Sequence, residues 1–293
     1  MNWTLCPVNA GNIEEIDGVL RAWEPVGGVA AGFQSGDLGW ELREGAVQLA
    51  ARLRCWRDDA GNVGALGIME GPAELWLSID PARLMDLELA EAIAHHAMTA
   101  HLTSVSPPAT PAVVRASLGR RGYSAAPDPW LFFWKPLTDA DMIDVPGVFA
   151  TSTPLLRAER IRVQQLASDD HAFGMEQWQP IASGPAFRPE LDLVAVNDAG
   201  VGVSALTAWL PGPRKCGIIK AVGTHPAFRR QGHARRVLQA SFAALRRLGA
   251  SGVHLFADRD NPAAIATYQA VGFQVLGHDT EMVQPDRQEF SLP

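Results

Sequence analysis

Between Cys216 and Leu248 the chain runs from an apolar strand into a glycine turn and out along a long helix, the sharpest chemical feature of its second half. Cys216-Gly-Ile-Ile-Lys-Ala-Val-Gly-Thr224 reads as a strand, weakened by Gly217 and Gly223, and His225-Pro226 ends it. Arg229-Arg-Gln-Gly-His-Ala234 then opens a helix. Its apolar positions Ala234, Val237, Leu238, Phe242, Leu245 and Leu248 recur at helical spacing, with Ser241 the one polar member of the set. A helix N-terminus leaves several backbone N–H groups without partners and adds a favourable dipole. Gly232 lets a ligand approach the backbone, Ala234 keeps the turn uncrowded, and Arg229, Arg230 and Arg235 add positive charge. A pyrophosphate fits this arrangement. The spacing is neither that of a P-loop nor that of a Rossmann fingerprint. Alone, the pattern is equally consistent with a tight turn and a solvated basic helix.

The flanking segments set the fold class. Leu193–Val196 and Val201–Leu210 read as strands joined by the turn Asn197-Asp-Ala-Gly200, and Pro211-Gly-Pro213 stops the second. Gly249 and Gly252 bracket the end of the long helix, and Val253–Ala257 reads as a further strand. Pro262 suits the first position of a helix that ends before Gly272, and Phe273–Leu276 restarts as a strand. Strands, helix, strand, helix, strand describe an α/β or α+β domain.

Two stretches carry a resemblance. Val222-Gly-Thr-His-Pro-Ala-Phe-Arg-Arg-Gln-Gly-His-Ala234 resembles the acyl-CoA pyrophosphate motif of the Gcn5-related N-acetyltransferase (GNAT) superfamily, whose core is Arg/Gln-x-x-Gly-x-Gly/Ala. Asn261-Pro-Ala-Ala-Ile-Ala-Thr-Tyr-Gln-Ala-Val-Gly-Phe273 resembles its second hallmark: an Asn, a helix carrying Tyr, then Gly-Phe. They stand in the family's order and at its usual separation. The resemblance implies two splayed central strands with the acyl-pantetheine arm between them. It implies that backbone groups of Val222 and Thr224 pair with that arm. The turn around Arg229, Arg230, Gln231, Gly232, His233, Ala234 and Arg235 would hold the pyrophosphate. Asn261 would face the cofactor near the thioester, and Tyr268 would protonate the leaving thiolate.

The chemistry can be stated without the family. A neutral amine attacks an acyl thioester, the oxyanion needs a donor such as the amide of Val222, and the departing sulfur benefits from a proton from Tyr268. Glu176, Glu190, His225 and His254 are candidates for the base that deprotonates the amine, none of them favoured by spacing. No covalent nucleophile is required, and Cys216, without a His partner at a telling spacing, reads as a packed small residue. Phe173, Glu176, Trp178 and Phe187 precede the central strands, a region that lines the acceptor opening in the resembling family; ordinary aromatic packing competes with that role. His95-His96 falls in a helical pattern over Leu87–Ala100 without a third ligand at metal spacing, so no metal is expected.

Composition divides the chain. Its 293 residues suggest two domains. Residues 1–150 balance at −9 and residues 151–293 at +2, and seven of the nine Trp fall in the first part. The segment from Pro136 to Pro154 reads as linker. The first half repeats the order of the second: Val63–Met69 and Ala73–Ile79 as strands, then Asp80-Pro81, then the helix near Leu87–Ala100. Setting Pro81 against Pro226 puts Leu84, Leu87 and Leu89 where the second half has Arg229, Gly232 and Ala234, so Leu87 and Leu89 are expected to fill the place of the cofactor turn. Setting Gly122-Tyr123 against Gly272-Phe273 puts Pro111 opposite Asn261 and Leu118 opposite Tyr268. The expectation is therefore a tandem GNAT fold, similar in arrangement to mycothiol synthase. Each copy would be a mixed, mostly antiparallel sheet with splayed central strands flanked by helices. Residues 1–138 would form a degenerate copy without the acyl-CoA loop, 139–154 a linker and 155–293 the catalytic copy.

The net charge of −7 argues against a general nucleic-acid binder, and no apolar run reaches the length of a membrane span. A basic-then-apolar leader is missing and the three cysteines form no CxxC pair, which reads as a cytoplasmic protein. The function expected is transfer of an acyl group, acetyl from acetyl-CoA, to a small-molecule primary amine. The alternative is a non-catalytic acyl-CoA-binding or regulatory protein on the same fold. Monomer and homodimer stay open.

Overall fold

All twelve strands of the described residues belong to one sheet. The structure is a computed structural model and describes residues 2–28, 32–106, 112–168 and 172–284. In the first half the elements are Thr4–Cys6 (β1), Ile13–Trp23 (α1), Ser35–Glu41 (α2), Ala46–Arg52 (α3), Leu53–Arg57 (β2), Val63–Met69 (β3), Glu74–Ile79 (β4), Leu87–Thr99 (α4), Ser104–Ser106 (β5), Ala112–Gly119 (α5) and Ser124–Pro136 (β6). The second half has Val148–Ala150 (β7), Pro154–Ser168 (α6), Met175–Ala182 (α7), Asp192–Val196 (β8), Gly202–Trp209 (β9), Cys216–Thr224 (β10), His233–Arg247 (α8), Gly252–Asp258 (β11), Pro262–Ala270 (α9) and Gln274–Val283 (β12). The segment read as linker thus contains an edge strand: Val148–Ala150 pairs antiparallel with β8. Pro111 lies outside the described residues.

The two halves repeat one order, β1 to β5 and β7 to β11. Among the described strands each order contains one parallel pair, and in each the pairing is brief. β4 meets β5 only over Glu74–Trp76, and β10 meets β11 only over Cys216–Ile218. Beyond Ile218 the two central strands of the second half diverge, β10 following β9 and β11 following β6. The gap expected in the second half is present.

The last strand of each half has crossed to the other. Across the sheet the order is β1-β2-β3-β4-β5-β12-β6-β11-β10-β9-β8-β7: β6, from the first half, pairs with β11 along Gly252–Asp258, and β12 pairs with β5, the two exchanged strands lying side by side at the centre. The cores follow the exchange. Leu131, Phe133 and Leu137 are buried in the apolar cluster of the second half, among Val237, Phe242 and Leu255. Met282 is buried in that of the first, beside Leu77 and Ile93. Nothing in an alternating apolar strand names which neighbour it will take, because both available edges present the same backbone groups.

A second seam joins the halves near the gap. Helix α2 lies against β9 and β10 at backbone distance. A β-carbon on Gly36 would come within 2.1 Å of Ile218 Cγ2, and one on Gly39 within 2.6 Å of Trp209 Nε1. Glycine at these two positions is what allows the approach. Trp40, on the same helix, stacks on Phe173 at 5.8 Å and meets Trp209 edge-on at 6.3 Å. Several tryptophans of the first half are thus packing residues, Trp3 and Trp56 in its own core and Trp40 at the seam.

Candidate active site

The turn before α8 is open and uncapped. Gly232 is the N-cap, in the left-handed region at φ +84°, and no side chain caps the helix. A β-carbon there would meet nothing within 4 Å, so the space above the turn is open. The amide of Arg236 is the first to bond back, to Gly232 O at 3.1 Å. The amides of Gly232, His233, Ala234 and Arg235 precede that bond and form the free end of the helix. Arg230, Gln231 and Arg235 are exposed around it. Arg229 is also exposed but already engaged, its guanidinium donating to Thr224 O at 3.4 Å and Ala167 O at 3.2 Å. His233 is held below its usual pKa by partial burial and the neighbouring Arg236 guanidinium, which favours neutral imidazole in the first turn.

The first half closes the same place, by a different means from the one expected. Asp80 and His225 are equivalent, each accepting from the amide two residues on, Ala82 at 2.9 Å and Ala227 at 3.1 Å. The turns diverge after that. Leu87 is 61% exposed and fills nothing, while Leu89 is buried in the core. The N-terminus of α4 is closed by Asp86, whose carboxylate accepts from Leu89 N at 3.0 Å and from Trp3 Nε1 at 3.2 Å. A capping carboxylate takes a donor and puts negative charge where a phosphate would need positive potential.

Strand β10 borders the gap. The amide of His225 donates to Val203 O on β9. Backbone groups alternate along a strand, so those of Thr224 point to the opposite edge, into the gap. The register against β9 slips between Lys220 and Gly223, and Ala221 within the slip has φ +56°. Asn261 caps α9, its Oδ1 accepting from Ala264 N at 3.0 Å. Tyr268 is buried, edge-on to Phe133 at 5.6 Å and to Phe273 at 5.9 Å. Burial raises its phenol to about 12, so it stays protonated across the physiological range.

The residues expected around the acceptor divide. Phe173 and Trp178 are 1% and 4% exposed. Trp178 Nε1 donates to Asp192 at 3.1 Å, and the buried Arg160 bonds the same carboxylate at 3.0 Å while lying over Phe173. A buried ion pair needs every lone pair satisfied, and the indole supplies one of the donors. Both rings are thereby committed to the core. Phe187 is half-buried and meets Trp178 edge-on at 5.9 Å; Glu176 and Glu190 are exposed.

His254, a candidate base, is wholly buried instead. Gln34 Nε2 of the first half donates to its Nε2 at 2.9 Å, which leaves the proton on Nδ1, 3.5 Å from Cys216 Sγ. The His partner that Cys216 lacked by spacing comes from the next strand. Burial keeps the pair neutral, pushing the thiol up to about 12 and the imidazole down to about 3. This pair is a seam contact rather than a nucleophile and base. The unfolded chain takes up a proton at His254 near pH 6.5, and the folded chain does not until about pH 3. Its contribution to stability is therefore complete above pH 6.5 and is lost as the pH falls through that window. His254→Gln should flatten the acid limb of a urea-midpoint profile relative to wild type; parallel profiles would count against the assignment.

Among the described residues no group of three or more His, Cys, Asp and Glu is placed to hold a metal ion, and no helix is long and apolar enough to cross a membrane.

Residues 160–273 match the model of the acetyltransferase (GNAT) family. No curated protein matches the chain. Solved structures match along nearly its whole length. An acetyltransferase of the GNAT family from Colwellia psychrerythraea has a TM-score of 0.62 at 13% identity, covering 98% of this chain and 100% of that one. A tandem GNAT protein from the clavulanic acid biosynthesis pathway has 0.57 at 17%, covering 96% and 98%. A GNAT-type N-acetyltransferase from Sphaerobacter thermophilus has 0.53 at 18%, covering 97% and 96%. The chain therefore has a tandem GNAT fold, and its second half carries the match to the GNAT acetyltransferase family.

Proposed function

We propose that the protein is an acyl-CoA-dependent N-acyltransferase, moving acetyl from acetyl-CoA to a small-molecule primary amine in a site of the second half. The observation that carries this reading is the contrast between the two equivalent turns: open, uncapped and basic at Gly232, capped by a carboxylate at Asp86. The turn offers a pyrophosphate four backbone donors and a helix dipole, with no side chain in the way. The gap beside it opens where β10 and β11 part beyond Ile218, and the edge groups of Val222 and Thr224 would pair with an extended pantetheine arm.

In this reading the amide of Val222 donates to the carbonyl oxygen as negative charge gathers on it. The neutral amine nitrogen forms the new bond to carbon, the C–S bond breaks, Tyr268 gives its proton to the departing sulfur, and the proton shed by the acylated nitrogen passes to solvent, from which the phenolate is reprotonated. A phenol near 12 holds its proton until a thiolate develops beside it, which suits an acid rather than a base. With Asn261 engaged as a helix cap, it serves the site by setting the start of the helix that carries Tyr268. The catalytic unit is the stretch 155–293 completed by β6, and the similarity to mycothiol synthase is one of tandem arrangement.

The test is thiol release from acetyl-CoA with spermidine, tyramine and glucosamine as acceptors. Tyr268→Phe is expected to lower kcat about a hundredfold with acetyl-CoA affinity intact. Cofactor binding without thiol release from wild type across such amines would sink the catalytic reading and leave a binding protein.

A further inference from the structure

The slip in β10 holds a residue with a β-carbon in the left-handed region, Ala221 at φ +56°. Such a backbone is strained and persists only where its surroundings hold it from both sides. On the C-terminal side the restraint comes from the same half: Ser204 Oγ donates to Gly223 O at 2.7 Å and lies 3.0 Å from Thr224 Oγ1. On the N-terminal side it comes from the other half. The ammonium of Lys220 pairs with Asp37 of α2 and sits 5.5 Å from the ring centroids of both Trp76 and Phe256. Asp37 is itself fixed. Its carboxylate is 2% exposed, accepts from Gln34 N at 2.8 Å, and rides on the helix that Gly36 seats against Ile218.

We propose that the Lys220–Asp37 ion pair is the means by which the first half positions the amide of Val222 for acyl transfer, so that both are positioning residues. The inference rests on the acyltransferase reading of β10. A Met at 220 would fill the same space between the rings and avoid desolvating a charge. What the ion pair adds is direction: it ties one end of the slip to a fixed point outside its own half, two residues before the amide. The degenerate copy thus serves the site through the geometry of a strand it does not own.

The experiment avoids the unidentified acceptor. Acetyl-CoA carrying a carbon-13 label at the thioester carbonyl is bound to the full-length protein, and its carbonyl resonance is compared with that of the free compound. In wild type the bound resonance should move downfield as the amide polarises the carbonyl. Lys220→Met and Asp37→Asn should each lose most of that displacement while acetyl-CoA affinity, set at the Gly232 turn, stays close to wild type. Asp37→Glu, which keeps the charge, should restore part of it. The same displacement in Lys220→Met and Asp37→Asn as in wild type overturns the proposal. So does a loss of affinity and of cooperative unfolding together, which would mark the pair as merely structural. If wild type binds no acetyl-CoA, the acyltransferase reading itself has failed, a result separate from an undisturbed resonance in the variants.

Discussion

Gly232→Asp is expected to weaken acetyl-CoA binding by about a hundredfold or more without unfolding the protein. The substitution copies the first half onto the second. At Asp86 a carboxylate already caps the equivalent helix, accepting from Leu89 N at 3.0 Å. An aspartate at 232 would take an amide that the pyrophosphate needs and set a like charge beside it. Losing one charge-assisted hydrogen bond costs about 1.5–3 kcal/mol, and reversing the local potential adds to that. Aspartate tolerates the left-handed backbone better than most residues, and it caps helices, so stability should change little. Gly232→Ala separates the effects. Its β-carbon meets nothing within 4 Å, so only the backbone strain of about 1 kcal/mol remains and the loss should stay below about tenfold. Calorimetric titration with acetyl-CoA measures both; a Gly232→Asp protein that binds like wild type would remove the pyrophosphate from this turn.

The largest effect on folding should come from separating the halves. Residues 139–293 expressed alone should not fold cooperatively, although they contain the family match and every candidate catalytic group. The reason is β6. Without it β11 has an open edge along Gly252–Asp258, and the core loses Leu131, Phe133 and Leu137. Burial of three such side chains is worth roughly 5–9 kcal/mol, comparable with the whole stability of a typical domain. The exposed strand would also invite edge-to-edge association. Adding residues 1–138 as a separate chain should restore folding, seen as recovery of a single sharp denaturant transition and of acetyl-CoA binding. A cooperative transition from 139–293 alone would show that β12 can return to its own half.

These outcomes separate what sequence can and cannot carry. The strands and helices from β8 to β12 are legible because their signals are local: Pro262 starting α9, the apolar stripe of α8, the proline stop after β9; β7, α6 and α7 go unread in the sequence. The open turn at Gly232 is legible for the same reason, since a glycine before a basic helix has a physical meaning within a few residues. The exchange of β6 and β12 is not, because strand partners more than a hundred residues apart leave no mark in spacing. His254 illustrates the limit. As a residue in a strand it reads as a candidate base, and only the neighbouring strand and Gln34, 220 residues away, turn it into a neutral seam contact. The first half shows a subtler gap. The leucines opposite Arg229, Gly232 and Ala234 are visible, but the closure is made by Asp86, which lies between the compared positions, opposite Gln231. Lys220 carries no reading of its own in the strand Cys216–Thr224 until α2 places Asp37 against it.

The crossed strands also set an order of events during synthesis. β6 leaves the ribosome more than a hundred residues before β11, the strand it must lie beside, and β5 waits for β12 at the very end of the described chain. A nascent first half therefore cannot complete its own sheet. It must keep two apolar edges from wrong partners until the last strand emerges, a demand that falls on slow-forming, long-range contacts and on chaperones. Once closed, each half is locked by a strand of the other, so the molecule should lose both together or neither.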